Sequence, residues 1–329
     1  VSLVNDFVEP GTGSEERKVE DRAHDHGSDH AVGTIFLYDV TKVDCAMFDP
    51  SKGVYGQTWR VDLTLSGPLG PTGFVYDFSH LKRLARQVLK SSIDHALIIP
   101  INSQSVRFRG QNRGECWSMR SRAGKSGSEC DWSYTSPGGS VFPSRTVALN
   151  RQALEQEVAR SLRHRLPQEV TNISVVLREE DVDPTEAVVR YTHGIAKHEG
   201  MCQRLFHGHR CRIQVFVGDE RRPDLEHYLA RDVLGTHVHI ATPSQFKSGY
   251  IECGTRGLSN DPVILAYEGS QGYFEATLPA DRVFVVARET SIECIARELA
   301  RLVKREENTS EKVRVVCYEG IDKGSIAEV

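Results

Sequence analysis

The sequence predicts an α+β fold in which one unit, an antiparallel sheet with helices packed on one face, occurs twice in tandem. Three observations predict it. Both halves contain segments of apolar–polar alternation, the period of a half-buried strand. Segments with apolar residues three and four apart, the period of a helix, follow in the same order in each half. Two stretches also align without gaps: Gly56-Gln-Thr-Trp-Arg-Val on Gly208-His-Arg-Cys-Arg-Ile, and Arg151 to Leu162 on Glu289 to Ala300. These alignments set Glu155 opposite Glu293, and Glu180 falls opposite Glu319 after the last strand.

Residues 1–33 are polar and charged without periodicity, the composition of a disordered tail. Its His24, Asp25, His26, Asp29 and His30 read as a solvated run rather than a metal site. The first unit is expected over 34–186. Trp59 to Ser66 alternates as a strand and ends in the turn-rich Gly67-Pro-Leu-Gly-Pro-Thr-Gly73. From Phe78 to Ile93, apolar Leu81, Leu84, Ala85, Val88 and Leu89 fall at helical spacing, with Asp77 or Ser79 to cap them. Gly, Ser and Arg dominate about 103–145, which reads as an irregular surface insertion. Leu154, Val158 and Leu162 mark a helix over 151–165, and Ile173 to Leu177 a short strand. The second unit, 187–329, repeats the order. Arg212 to Val217 is a strand, Leu225 to Val233 a helix and about 242–288 an irregular or strand-bearing insertion. Ser291 to Lys304 is a helix and Val313 to Cys317 a strand.

The bulk numbers exclude some classes. At 329 residues, 39% apolar and 26% charged, the chain is long and apolar enough for two globular domains. A net charge of -4 gives no electrostatic reason to expect nucleic acid or an anionic membrane as partner. No run of about 18 apolar residues offers a membrane span. The eight cysteines are scattered without a CxxC pair, and no signal-peptide core precedes them, so they read as reduced thiols of a cytoplasmic protein.

The chemistry concentrates in 191–209, YTHGIAKHEGMCQRLFHGH. On a strand, positions i and i+2 share a face, so His207 and His209 present two imidazoles together, and Gly208 leaves room for close backbone packing. Catalytic zinc usually takes three protein ligands and keeps a fourth position open. His193 is the natural third ligand if the chain hairpins between 194 and 206, with His198 as the alternative. Cys202 lies beside this set as an acid–base thiol. A structural site using Cys202 and Cys211 is the competing reading, although Cys211 stands farther along the strand. An HxH pair alone is a weak signal; three histidines and a cysteine inside about 20 residues are a stronger one. No nucleotide-binding glycine loop is present.

Cys202-Gln-Arg-Leu-Phe-His207-Gly-His209 resembles the Cys-spacer-His-Gly-His signature of the 6-pyruvoyl-tetrahydropterin synthase and 6-carboxy-tetrahydropterin synthase family. The four-residue spacer is intermediate between the family's usual three and five. Gly73-Phe-Val-Tyr-Asp77-Phe78-Ser-His-Leu-Lys82, Ile93-Asp94-His95-Ala-Leu97, Thr290-Ser-Ile-Glu293 and Glu319-Gly-Ile-Asp-Lys-Gly324-Ser-Ile326 resemble further family segments, in order. The resemblance implies two tandem T-fold units and a zinc ion held by His193, His207 and His209. It also implies a catalytic set of Cys202, Asp94 and His95, and Glu319 as the anchor of a pterin ring. The implied substrate is 7,8-dihydroneopterin triphosphate, converted to 6-pyruvoyl-tetrahydropterin or, on the route to queuosine, to 6-carboxy-tetrahydropterin. Arg204, Arg210 or Arg212 would meet its phosphates, or are ordinary surface arginines.

The departures divide the site between the halves. Tyr55-Gly56-Gln57 replaces the HGH segment in the first half, with Thr41 facing His193 and Pro50 near the Cys202 position. In the second half the Asp-His pair has become Thr236-His237. Asp94 and His95 are therefore expected to meet Cys202 of the other unit, within one chain or between chains. T-fold units associate to close barrels, so a homo-oligomer is expected, a trimer if six units assemble. Two other readings compete: a metal-binding T-fold protein without turnover, and a zinc hydrolase acting on a pterin- or purine-like substrate.

Overall fold

The computed structural model describes residues 31–122 and 127–329. The tail expected at the start, with its histidine–aspartate run, lies outside the described residues up to residue 30, and a strand already begins at Val32. No helix among the described residues is long and apolar enough to cross a membrane.

The first half opens with a long hairpin of β1 (Val32–Asp49) and β2 (Gly53–Pro68). A bulge between Leu37 and Thr41 interrupts the pairing, and Gly53 supplies the left-handed turn residue. Helix α1 (Phe78–Lys90) starts where the Asp77 carboxylate accepts the His80 amide at 2.7 Å. Its apolar stripe, Leu81, Ala85, Val88 and Leu89, is buried on the sheet. Each large side chain there contributes roughly 1.5–3 kcal/mol, and Leu81→Ala would cost about 2–5 kcal/mol. After β3 (Leu97–Pro100) come β4 (Val106–Gln111), β5 (Glu115–Ser121), β6 (Cys130–Ser136) and β7 (Val141–Ser144). Helix α2 (Arg151–Arg163), capped by Asn150, and β8 (Asn172–Arg178) complete the half.

The second half runs β9 (Val188–His193), β10 (His207–Val217), β11 (Glu220–Arg221) and α3 (Pro223–Tyr228). The helix widens into a π turn over Leu229–Val233, where the Leu234 amide reaches back to Leu229 O. Then follow β12 (Val238–Ala241), β13 (Phe246–Ser248), β14 (Pro262–Gly269), β15 (Gly272–Pro279) and β16 (Val283–Val285). Helix α4 (Ile292–Glu306), β17 (Val313–Tyr318) and β18 (Gly324–Glu328) end the chain.

The main sheets share one strand order: β7-β3-β1-β2-β8 in the first half and β16-β12-β9-β10-β17-β18 in the second. In each, three antiparallel strands form the centre and two parallel strands extend it beyond β1 or β9. One apolar core lies between the first sheet and α1 and α2, another between the second sheet and α3 and α4. The first insertion is not irregular, and the second is strand-bearing. Their strands join across the halves through β6 and β15 into a six-stranded sheet, β13-β14-β15-β6-β5-β4. Its inner face makes a third core with Phe48 and Ile99 of the first half and Phe206 and Val283 of the second.

Ladder register refines the comparison of the halves. With Gly56 set on Gly208, Tyr55 and Gln57 take the places of His207 and His209. Met47, paired with Tyr55, then takes the place of His193, which pairs with His207, so Thr41 does not. On the outer strands Val61 pairs with Leu177 and Ile213 with Cys317, which sets Glu179 rather than Glu180 opposite Glu319. The helix starts, Asn150 and Ser291, shift the other alignment by one turn and set Leu154 opposite Ile295.

At Gly56 and Gly208 the backbones of the two halves pack against each other. A Cβ on Gly56 would stand 2.1 Å from Tyr191 O, and one on Gly208 2.6 Å from Gly56 Cα. No side chain fits at either position without moving backbone.

Candidate metal centre

The three histidines expected at a metal do come together. Antiparallel pairing sets His207 directly opposite His193, and His209 follows two residues along the same face. Their ligating atoms all lie within 4.8 Å of one another, and all three residues are buried. The far side of two of the rings is fixed by backbone. His193 Nδ1 lies 2.6 Å from Thr290 O, just before the start of α4, and His207 Nδ1 lies 3.2 Å from Arg204 O. The third faces the other half, with His209 Nδ1 3.2 Å from Asp44 Oδ1, an ion-pair contact rather than an aligned hydrogen bond.

These outer contacts place the N–H on Nδ1 and turn each Nε2 lone pair inward. His193 Nε2 and His209 Nε2 then face each other at 3.2 Å, and His207 Nε2 is buried without a hydrogen-bond partner. Two bare lone pairs at that distance repel. Two nitrogens bound about 2.0–2.1 Å from one tetrahedral ion stand roughly 3.3 Å apart. The donor set therefore fits a single tetrahedral cation. Burial, reinforced by the neighbouring rings, holds His193 and His207 well below the usual imidazole range, so both are in the neutral form that can ligate. His198, the alternative ligand, is exposed and its Nδ1 accepts the Gly200 amide at 2.8 Å. Cys211 is buried in the second-half core and belongs to neither candidate metal group.

Asp94, His95 and Cys202 gather beside this set within one chain. Ligating atoms of His95, Cys202 and His207 also lie within 4.8 Å of one another, and the His95 and His207 rings stack at 5.2 Å. His95 Nδ1 is 3.0 Å from Asp94 Oδ1, an ion-pair contact rather than an aligned hydrogen bond. The Asp94 carboxylate also accepts the Asp44 amide. His95 adopts a left-handed backbone (φ 55°), uncommon for a residue with a side chain. Its amide donates to Asp44 O at 2.6 Å and its carbonyl accepts Arg204 Nη1 at 3.3 Å. Burial alone would lower the His95 ring, but Asp94 and Cys202 outweigh it and push it up to about 10.

Glu319 sits one link away, at the end of β17. Lys323 Nζ bridges Glu319 Oε2 at 3.4 Å and Asp44 Oδ2 at 3.1 Å. Asp44 is thus the hub that sequence reasoning missed: it also accepts the Thr58 hydroxyl at 2.7 Å and contacts His209. Burial would raise its carboxyl, but His209, Lys323 and Thr58 hold it well below the usual range. Nothing local in the sequence marks it, because its partners come from the other half. Of the arginines considered for phosphate, Arg204 braces His95, while Arg210 and Arg212 pair with Glu179 and Glu180. A cleft of about 590 Å³ lies on the insertion sheet among Arg107, Arg109 and Arg120, and none of the histidines lines it.

Solved structures give partial likenesses. A 6-pyruvoyltetrahydropterin synthase from Plasmodium vivax is 18% identical, with a TM-score of 0.35, over 45% of this chain and 98% of that one. A catalytic-residue mutant of the Plasmodium vivax enzyme gives 19% and 0.34, and the Plasmodium falciparum 6-pyruvoyl tetrahydropterin synthase 17% and 0.34, with the same coverage. No curated protein matches the chain. The 6-pyruvoyl tetrahydropterin synthase family model matches residues 36–183, a segment that holds Asp44, Asp94 and His95 and ends before His193. By that match residues 36–183, just under half of the chain, are similar to the 6-pyruvoyl tetrahydropterin synthase family.

Proposed function

We propose that the protein is a zinc-dependent pterin lyase acting on 7,8-dihydroneopterin triphosphate, built from two tandem T-fold units. The observation that carries this reading is the meeting of Asp94, His95 and Cys202 from opposite halves beside the three-histidine group. His193, His207 and His209 would hold the ion. When bound, zinc supplies Lewis acidity to the oxygens of the substrate side chain.

The chain's own residues do the rest. Cys202, as thiolate, takes a carbon-bound proton from the side chain, with the His95 ring beside it. Asp94 orients that ring and stabilises its protonated form. Arg204 and the Asp44 backbone hold His95 in its left-handed conformation. Glu319 accepts hydrogen bonds from the N3–H and 2-amino group of the pterin, a paired donor that suits a carboxylate. The product is 6-pyruvoyl- or 6-carboxy-tetrahydropterin. Two units per chain lead us to expect a trimer, which a solution mass would check.

The test is direct. The purified chain is assayed for zinc by atomic emission and incubated with the triphosphate, with products followed by chromatography. His207→Ala should lose metal. Cys202→Ala should keep metal and lose turnover by about a hundredfold or more. Zinc retained by the unaltered chain without any product would support a binding role and overturn the enzyme reading.

A further inference from the structure

The first half keeps a cavity where the second keeps its histidines. Its volume is about 330 Å³, near the lower end for small-molecule sites. Met47, Tyr55 and Gln57, which take the ladder places of His193, His207 and His209, line it. His237 faces Tyr55 with ring centroids 5.3 Å apart, much as His95 faces His207 at 5.2 Å. The walls of the site have been retained and its metal donors replaced. A thioether, a phenol and an amide are a poor set for a divalent ion, so whatever this cavity takes, it takes without metal.

The charges say what kind of molecule fits. Lys52, Arg151 and Arg190 line the cavity with a single carboxylate, Glu179. Glu179 is already engaged by Arg190 at 3.0 Å, Arg210 at 3.1 Å and the Gln57 amide at 2.9 Å. Arg151 leans on Glu155 at 3.6 Å. Lys52 makes no ion pair among the described residues; its ammonium stands 5.3 Å from the Tyr55 ring centre. Burial, with Arg282, Arg190 and Lys52 nearby, holds the His237 ring down to about 4, so it is a neutral aromatic surface at pH 7. Lys52 therefore stands beside a wall made of two rings, with the Asp49 carboxylate near enough to feel its charge but in no ion pair with it.

We propose that this cavity is a second, metal-free binding site for an aryl or heteroaryl phosphate. The ring lies against Tyr55 and His237, and the phosphate faces Lys52 and Arg151. The proposal stands on Lys52, Tyr55 and Arg151 of the first half with His237 of the second, and does not depend on the zinc reading.

Phenyl phosphate is the minimal probe, titrated into the full chain by calorimetry and by the fluorescence of Trp59, which also lines the cavity. A dissociation constant of about 1 mM or tighter is expected for a probe of this size, with inorganic phosphate at least tenfold weaker. Lys52 is exposed, so Lys52→Glu should fold normally and weaken the probe at least tenfold; His237→Ala should weaken it severalfold. His207→Ala, which removes a proposed zinc ligand, should leave probe binding unchanged. Absence of saturable binding by the unaltered chain, or unchanged affinity in Lys52→Glu, would overturn the proposal. Loss of binding in His207→Ala would move the probe to the histidine site and overturn it as well.

Discussion

Asp44 offers the sharpest test of how the centre is held. Its carboxylate is buried, accepts the Thr58 hydroxyl, pairs with Lys323 and lies 3.2 Å from His209 Nδ1. Carboxylates that hold the outer nitrogen of a metal-binding histidine fix its orientation and raise its basicity, and losing one typically costs 10–100-fold in affinity. The two ends of that range correspond to different substitutions here. In Asp44→Asn an amide oxygen still stands opposite His209 Nδ1–H, and Lys323 keeps Glu319 at 3.4 Å, so only the charge is lost. A weakening of about tenfold, or roughly 1.4 kcal/mol, is expected. Asp44→Leu removes the oxygen contact as well as the charge, which brings the loss near a hundredfold. The assay is competition for zinc against a chromophoric chelator. Equal affinities for the unaltered chain and Asp44→Leu would refute the orienting role, and so would Asn proving worse than Leu.

Other expectations follow from the same contacts. Arg204→Ala frees the His95 carbonyl, and should lower turnover by about tenfold or more while zinc content, read by atomic emission, stays at the unaltered level. Gly56→Ala drives a Cβ to 2.1 Å from Tyr191 O; about 3 kcal/mol or more of stability should be lost in denaturant melts. Asp62 is held below the ordinary 3.8 by its hydrogen bonds to Arg178, against a small opposing effect of burial. A depressed carboxyl stabilises the fold above its unfolded value and stops doing so as pH falls through the folded one. The stability gap between the unaltered chain and Asp62→Asn should therefore be level from pH 7 to about 5 and close below about 4; a gap that widens in acid would contradict the pairing.

The local parts of this molecule were legible and the joints were not. Helix α1 is legible in the sequence because its stripe repeats at 3.6 residues, and the histidine pair because a strand's period of two sets His207 beside His209. The hairpin that supplies His193 followed from chain length alone. Register did not, because the hairpin closes with three residues between β1 and β2 and with thirteen between β9 and β10. Met47 was therefore passed over in favour of Thr41. The first insertion reads as irregular because glycine, serine and arginine dominate its composition, whereas strands remain open for the second. Yet Cys130-Asp-Trp-Ser-Tyr-Thr-Ser136 alternates as a strand should, and buries Cys130, Trp132 and Tyr134. Their joining across β6 and β15 is a long-range pairing that no local pattern announces.

That joining bears on why a divided site can persist. Neither half holds both the metal donors and the Asp-His pair, so the chemistry depends on how accurately the halves are packed. Three features fix that packing: the contact of Gly56 with the Tyr191 and His209 backbone, the Asp44 contacts to His209 and Lys323, and the shared six-stranded sheet. The first two lie at the site itself. A small rigid-body shift of one half would therefore break His209's outer contact and separate His95 from Cys202 together. In a site assembled between separate chains that geometry would depend on association, and so on protein concentration. Here it is built into one covalent chain, in which each half places within reach the groups that the other lacks.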